Sequence, residues 1–423
     1  MGSRAILSCV VLFLAGSVAQ AVSAQDTPAS GAAPERARTE TERARFAGRF
    51  ADRELMRTNC RAGAELALER GLAWLAAQQE SDGSWKLERR RPSLAELQQP
   101  DGSWKTAGPP PAITRYPSVN DVGLTGLAIL AFLGNGDTQA EGRHAATVAR
   151  ALAWLGDHQD LETGLFGEQR GYMFLYNHAI ATLAVAEAQD LSPSARLESS
   201  LRRAVKLIVR ARNPYGAWRY DVPPVGDNDT SVTGWMVTAL TAAEHAGVAL
   251  AEMDDDAYEG ALAWIRAVTD PESGRVGYDS RGSVSSRVVG VNLHMPPERG
   301  EAMTAVGLAV RIQLGERAER QPMLAKHAQL ILKKLPEWDT EGYGCDMVYW
   351  YFGSYAMHQM GGELWDAWHA AMERALLPNQ VKTGEDAGSW DPIGPWGYAG
   401  GRVYSTALMA LCLETPFRYG RTP

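Results

Sequence analysis

Two kinds of apolar stretch alternate along the chain. The first kind keeps apolar residues on one helical face and Arg, Glu and Gln on the other. Its clearest copies are Arg70-Gly71-Leu72-Ala73-Trp74-Leu75, Arg150-Ala151-Leu152-Ala153-Trp154-Leu155 and Gly260-Ala261-Leu262-Ala263-Trp264-Ile265. Weaker copies run from Arg203 through Leu207-Ile208, from His327, and from Trp368. The second kind is rich in Ala and Gly with few charges, as in Gly123 to Gly134 and Ala179 to Ala188. A helix apolar nearly all round is a buried helix, and small side chains let such helices approach closely. Asp121-Val122-Gly123-Leu124-Thr125-Gly126-Leu127 lines up with Asp229-Thr230-Ser231-Val232-Thr233-Gly234-Trp235, and related stretches begin near Phe174, Ala302, Met347 and Val403.

A glycine followed by an aromatic residue separates the two kinds. The elements are Asp82-Gly83-Ser84-Trp85, Gly164-Leu165-Phe166, Gly216-Ala217-Trp218, Gly277-Tyr278, Gly342-Tyr343 and Gly388-Ser389-Trp390. Gln79 and Gln159 precede the first two, and the later units read as having lost this Gln. The repeat length is about fifty residues, somewhat above the usual range of helical solenoids. Six helix pairs of this size fill nearly the whole chain. An inner ring of buried helices inside an outer ring of amphipathic ones satisfies both patterns, and closure leaves no exposed terminal repeat. The expected fold is therefore all-α, an (α/α)6 toroid: a double barrel of six helix pairs. Because the tryptophans recur in register with this scaffold, they read as packing residues rather than as a ligand-stacking row.

Composition changes the picture in three ways. Hydrophobic residues at 45% and charged residues at 22% exclude a wholly disordered chain. A net charge of −8 excludes a broad phosphate-binding surface, so no nucleic-acid partner is expected. Arg4, the apolar run Ala5 to Ala15 and the small residues Val22-Ser23-Ala24 read as a signal peptide over residues 1–24. The run is shorter than the ~20 apolar residues a spanning helix needs, and no later stretch reaches that length. Export to a periplasmic or extracellular location is expected, with no transmembrane span after cleavage. Residues 25–45 lack large apolar side chains and read as a disordered tether, leaving 46–423 for the toroid. Beyond Cys9, the cysteines are Cys60, Cys345 and Cys412; reduced, partly buried thiols are expected, with pairing of Cys345 and Cys412 as the alternative. Residues 93–104 nearly copy the first Gln-to-Lys86 segment inside a long loop ending at Asn120, which reads as a flap over one mouth or as decoration.

Gln79-x-x-x-Gly83-x-Trp85, preceded by Arg70-Gly71 and Trp74-Leu75, resembles the QW repeat of squalene and oxidosqualene cyclases. The wider group is the terpenoid cyclase and protein prenyltransferase α/α toroids, and the resemblance covers residues 60–418. In that family Gln and Trp tie one repeat to the next. The resemblance implies an Asp-x-Asp-Asp motif whose middle aspartic acid protonates an alkene or epoxide. Here the stretch reads Gly226-Asp227-Asn228-Asp229-Thr230, which puts an amide at the proton donor. Asp227 and Asp229 remain as candidate acids, each needing a raised pKa. Asp229 reads equally as a helix cap, since Asp121 and Asp346 share its register. The prenyltransferase zinc set fails as well, because Val348 stands at the cysteine and Ser405 at the histidine. Cys345, Asp346 and His358 diverge around a helix, so neither metal nor cofactor is expected.

Repeat register places Tyr176, His178, Trp235, Arg402 and Tyr404 towards the lumen. The run Tyr349-Trp350-Tyr351-Phe352 and Tyr355 spreads aromatics over several helix faces, with Tyr349 and Trp350 as candidate ligand contacts. His178 reads equally as a satisfied buried histidine. The function expected is binding of an apolar or amphipathic small molecule, or a partner, in the central cavity. The alternatives are a divergent terpenoid cyclase using Asp227 or Asp229, and a carbohydrate-active lyase or hydrolase drawing on Arg402, Tyr404, Asp227 and Asp229.

Overall fold

The computed structural model describes residues 62–87, 118–214, 216–250, 253–254, 256–285, 300–339 and 344–420. The signal segment, the tether, Cys60, the duplicated stretch 93–104 and Gly342-Tyr343 lie outside the described residues. The amphipathic sequence stretches form α1 (Ala62–Ala77), α3 (Ala145–Asp157), α5 (Ala195–Ala211), α7 (Ala257–Val268), α9 (Pro322–Leu332) and α11 (Gly362–Leu376). The Ala- and Gly-rich stretches form α2 (Asp121–Gly134), α4 (Phe174–Leu191), α6 (Thr230–His245), α8 (Ala302–Gln313), α10 (Met347–Met360) and α12 (Gly397–Arg418).

Burial follows the two patterns. Every residue of α2 is buried, whereas α5 buries one face through Leu197, Leu201, Ala204, Val205, Leu207 and Ile208. The inner helices pack in the order α2, α4, α6, α8, α10, α12 and back to α2, and the outer helices lie against them. Close approach depends on glycine: a Cβ at Gly126 would stand 3.0 Å from Ile180 Cγ2 on α4. Among the described residues there is no β-strand, only isolated bridges such as Gln159–Phe166 and Gln380–Trp390 at the turns between helices. The chain is an all-α (α/α)6 toroid.

The turns share one set of contacts. Trp85, Trp218 and Trp390 are fully buried, and their Nε1 groups donate to Leu75 O (2.8 Å), Ile208 O (2.8 Å) and Leu376 O (2.9 Å). Each thereby adds a donor to a carbonyl in the last turn of its outer helix. Their backbone N–H groups donate to Thr125, Thr233 and Thr406 on the inner helices, as Val276 does to Thr304. Gln79 Nε2 donates to Gly83 O (2.9 Å) and to Thr147 O on the next outer helix (2.9 Å), and Gln159 does the same with Gly164 O and Ser200 O.

The sixth unit corrects the expectation that later repeats have lost Gln. Gln380 Nε2 donates to Gly388 O (2.7 Å) and to Ala67 O of α1 (2.7 Å). Eight residues separate Gln380 from its glycine, against four in the first unit, so a fixed spacing passes over it. Gly388 holds φ +99°, and a Cβ there would collide with the Arg70 carbonyl of α1. The last repeat therefore clasps the first as the second clasps the third, and the ring is closed.

Candidate functional site

The N-terminal ends of all six inner helices frame one central cavity with about 1120 Å³ of empty volume, open solvent at its mouth included. Leu124 and Leu127 (α2), Ile180 (α4), Met303 (α8), Val348 (α10) and Leu408 (α12) supply aliphatic wall. Tyr176, Trp235, Trp396 and Tyr404 supply aromatic wall from the same ring, and Tyr172, Tyr220 and Tyr278 reach in from the turns. Trp235 forms the floor. Its ring stacks on Tyr351 (5.3 Å, 9°) and meets Phe352 edge-on (5.1 Å). Tyr351 and Phe352 line a second, smaller cavity of about 410 Å³ that does not share Trp235.

Two carboxyl groups belong to this region. Asp229 caps α6, accepting from Val232 N (2.8 Å) and Ser231 Oγ (2.7 Å) on Oδ1 and from Tyr278 Oη (2.9 Å) on Oδ2. With its own proton committed to Asp229, Ser231 accepts from Tyr176 Oη (2.5 Å), and Tyr278 likewise accepts from Tyr220 Oη. Two hydroxyl relays thus end on one fully buried carboxylate just behind the cavity wall. Asp346 caps α10 through Val348 N and Tyr349 N, both on Oδ1 at 3.1 Å, and itself lines the cavity. Burial pushes the carboxyls of Asp229 and Asp346 up to about 6. Asp121, at the start of α2, is pushed to about 6 for the same reason.

The sign of that shift makes a testable prediction. A carboxyl whose folded pKa lies above its unfolded value near 3.8 binds its proton more tightly in the folded state. Its contribution is fully present below pH 3.8 and is lost as pH rises through about 6. Asparagine caps a helix as well as aspartate but does not titrate. Relative to Asp346→Asn, the wild type should therefore lose about 2–3 kcal/mol of unfolding free energy between pH 4 and 7. Urea titrations of both proteins across that range measure the difference.

Of the residues expected from sequence, the structure brings Tyr176, Trp235 and Tyr404 to the cavity and sets Asp229 directly behind it. The others lie elsewhere. His178 is fully buried, with Nδ1 accepting from Phe166 N (3.2 Å) and Nε2 donating to Ala204 O (3.1 Å). It holds the second turn as threonine does in the neighbouring repeats. Asp227 is largely exposed and pairs with Arg219 (3.3 Å). Tyr349 points outward, donating to Ile331 O and Lys334 O, and Trp350 packs against Trp338. At 100° per residue, the lumenal members of that run are Tyr351 and Phe352 instead. Arg402 reaches Asp386, Asp391 and Ser389, because a non-helical Gly401 (φ 62°, ψ −159°) resets the register of α12.

Cys345 and Cys412 are buried free thiols, both pushed up to about 12 by burial. Cys345 Sγ faces backbone groups of Glu337 and Asp339, and His358 packs edge-on against Trp365, so neither joins Asp346 at a common point. Among the described residues no group of three His, Cys, Asp or Glu side chains could hold a metal ion. Sequence reasoning missed Asp346 as a cavity residue, along with Tyr172, Tyr220 and Tyr278. The recurrence of aspartate at inner-helix starts was the available signal, and the capping role absorbed it.

No protein-family model matches the chain, and no curated protein sequence does. Solved structures similar to it include the GH76A α-1,6-mannanase from Salegentibacter sp. HEL1_6, at a TM-score of 0.54 and 11% identity, covering 84% of this chain and 98% of that one. An inactive variant of that enzyme in complex with α-1,6-mannotriose gives 0.52 and 10%, covering 84% and 99%. The type II terpene cyclase MstE from Scytonema gives 0.49 and 14%, covering 84% and 99%. At these identities the likeness to the mannanase shows the fold alone: this chain shares its architecture, the α/α toroid described above.

Proposed function

We propose that the protein binds a small molecule with an extended apolar body in the cavity at the N-terminal ends of the inner helices. The observation that carries this reading is the lining. Aliphatic and aromatic side chains from all six inner helices converge on it, and Asp346 is the one carboxylate among the described lining residues. Ligand sites of this kind are concave, mostly apolar, and carry a few placed polar groups. A carbohydrate site would ask for polar walls and two carboxyl groups facing across a groove. Asp229 spends both oxygens on neighbouring hydroxyl and backbone groups, which leaves Asp346 without an opposed partner at the surface of the cavity.

Export belongs to the same reading. No described helix is long and apolar enough to cross a membrane, and amino-terminal sequencing of the secreted chain is expected to begin near Gln25.

A second reading has one observation in its favour. An aspartic acid that titrates near 6, open to an aromatic cavity, has the chemistry of a Brønsted acid, and aromatic faces stabilise an adjacent cation. In a cyclase-like reaction the acid would be Asp346, not the exposed Asp227. Native mass spectrometry of the protein purified from its own host tests the binding proposal. The expected spectrum shows one co-purifying hydrophobic species per chain, absent from Val348→Trp, which fills the cavity. A bare chain in the wild type counts against it.

A further inference from the structure

Asp346 is the polar group of the cavity with an oxygen left to give. Both of its backbone hydrogen bonds fall on Oδ1, and no described group donates to Oδ2. Tyr404, on the neighbouring inner helix, also lines the cavity, and its buried Oη has no hydrogen-bond partner. That oxygen has almost no surface open to an occupant, which leaves Asp346 as the charged group an occupant meets. A carboxylate oxygen without a donor in an apolar cavity is costly unless something occupying the cavity supplies one.

The rest of the lining decides the sign of that occupant. Among the described lining residues there is no Lys, Arg or His. Among the described residues Arg219, whose charge acts on Asp229, pairs with Asp227 and lies over the Tyr220 ring (5.4 Å). The N-termini of α6 and α10, the two nearest these carboxyl groups, are capped by Asp229 and Asp346, whereas those of α2, α4 and α12 carry no side-chain cap. A carboxylate or phosphate headgroup beside Asp346 would meet negative charge with no cationic side chain among the described lining residues to offset it. A neutral alcohol would leave the Asp346 charge unpaired. An ammonium group supplies donors to Asp346 Oδ2, and the faces of Tyr176, Trp235 and Trp396 attract a cation.

We infer that the cavity selects a cationic amphiphile, an apolar chain ending in an ammonium group seated at Asp346. This rests on the proposed binding role of the same cavity and adds the class of its ligand.

Displacement of the neutral fluorophore N-phenyl-1-naphthylamine tests it at pH 7.5, with decylamine, decan-1-ol and decanoate as competitors of equal chain length. Decylamine should displace the probe at concentrations at least about tenfold lower than decanol, with decanoate weaker still. In Asp346→Asn, which retains the helix cap, the ratio of amine to alcohol should fall to within about twofold. Probe binding with equal competition by amine and alcohol, or with decanoate the strongest, overturns the ammonium assignment while leaving cavity binding intact. An undiminished amine preference in Asp346→Asn overturns the placement at Asp346. Failure of both the probe and decylamine to bind, the latter by calorimetry, sinks both proposals.

Discussion

Arg418→Met is expected to destabilise the protein by about 3–5 kcal/mol, because it takes the cation away from two buried carboxyl groups. The Arg418 side chain is fully buried at the C-terminal end of the inner ring, opposite the cavity mouth. It donates to Glu187 Oε2 on α4 (2.6 Å), to Glu414 Oε2 one turn back on α12 (3.2 Å) and to Leu130 O on α2 (2.7 Å). One guanidinium thus ties three inner helices where the last joins the first. Replacing the whole cluster by apolar residues of similar volume avoids leaving those carboxyl groups without the cation. The triple variant Arg418→Met, Glu187→Leu, Glu414→Leu should therefore recover most of the loss. Urea denaturation of both variants checks this, and a triple variant as weak as the single one would place the cost in packing instead.

Trp390→Ala should cost a similar ~3–5 kcal/mol, through lost burial and the cavity left behind. The Trp390 ring is fully buried and lies against Gly71 of α1, where an added Cβ would stand 3.1 Å from Cζ3. It therefore joins the sixth repeat to the first while its Nε1 closes α11. The loss should be local before it is global. Amide hydrogen exchange of α1 is expected to accelerate well beyond that of α6, which lies across the ring. Uniform acceleration in both helices would mean that the seam is no weaker than the rest of the toroid.

The architecture was legible because burial writes itself into composition. The run Gly123 to Gly134 is apolar on every side, and α2 is buried on every side. Phe174, Ala302 and Met347 were expected to begin inner helices, and they do. What escaped was whatever depends on side-chain direction or on loops. Tyr349 and Tyr351 are two residues apart, yet one bonds the outer helix and the other stacks beneath the lumen. Only the phase of the helix separates them. Arg402 was misplaced because the break at Gly401 interrupts the phase from which its direction was extrapolated. Tyr220 and Tyr278 approach the cavity from turns, where no periodicity reports orientation. Asp346 is a cap, but one at the lumenal end of an inner helix, where the same residue also lines the cavity.

The most direct test of cavity binding is a fluorescence titration of N-phenyl-1-naphthylamine into the wild type and into Val348→Trp. The expected result is a saturable rise in emission with one site per chain in the wild type, lost or weakened by at least about tenfold when tryptophan fills the space. Non-saturable binding in the wild type, or identical isotherms for the two proteins, would contradict a ligand site within the ring.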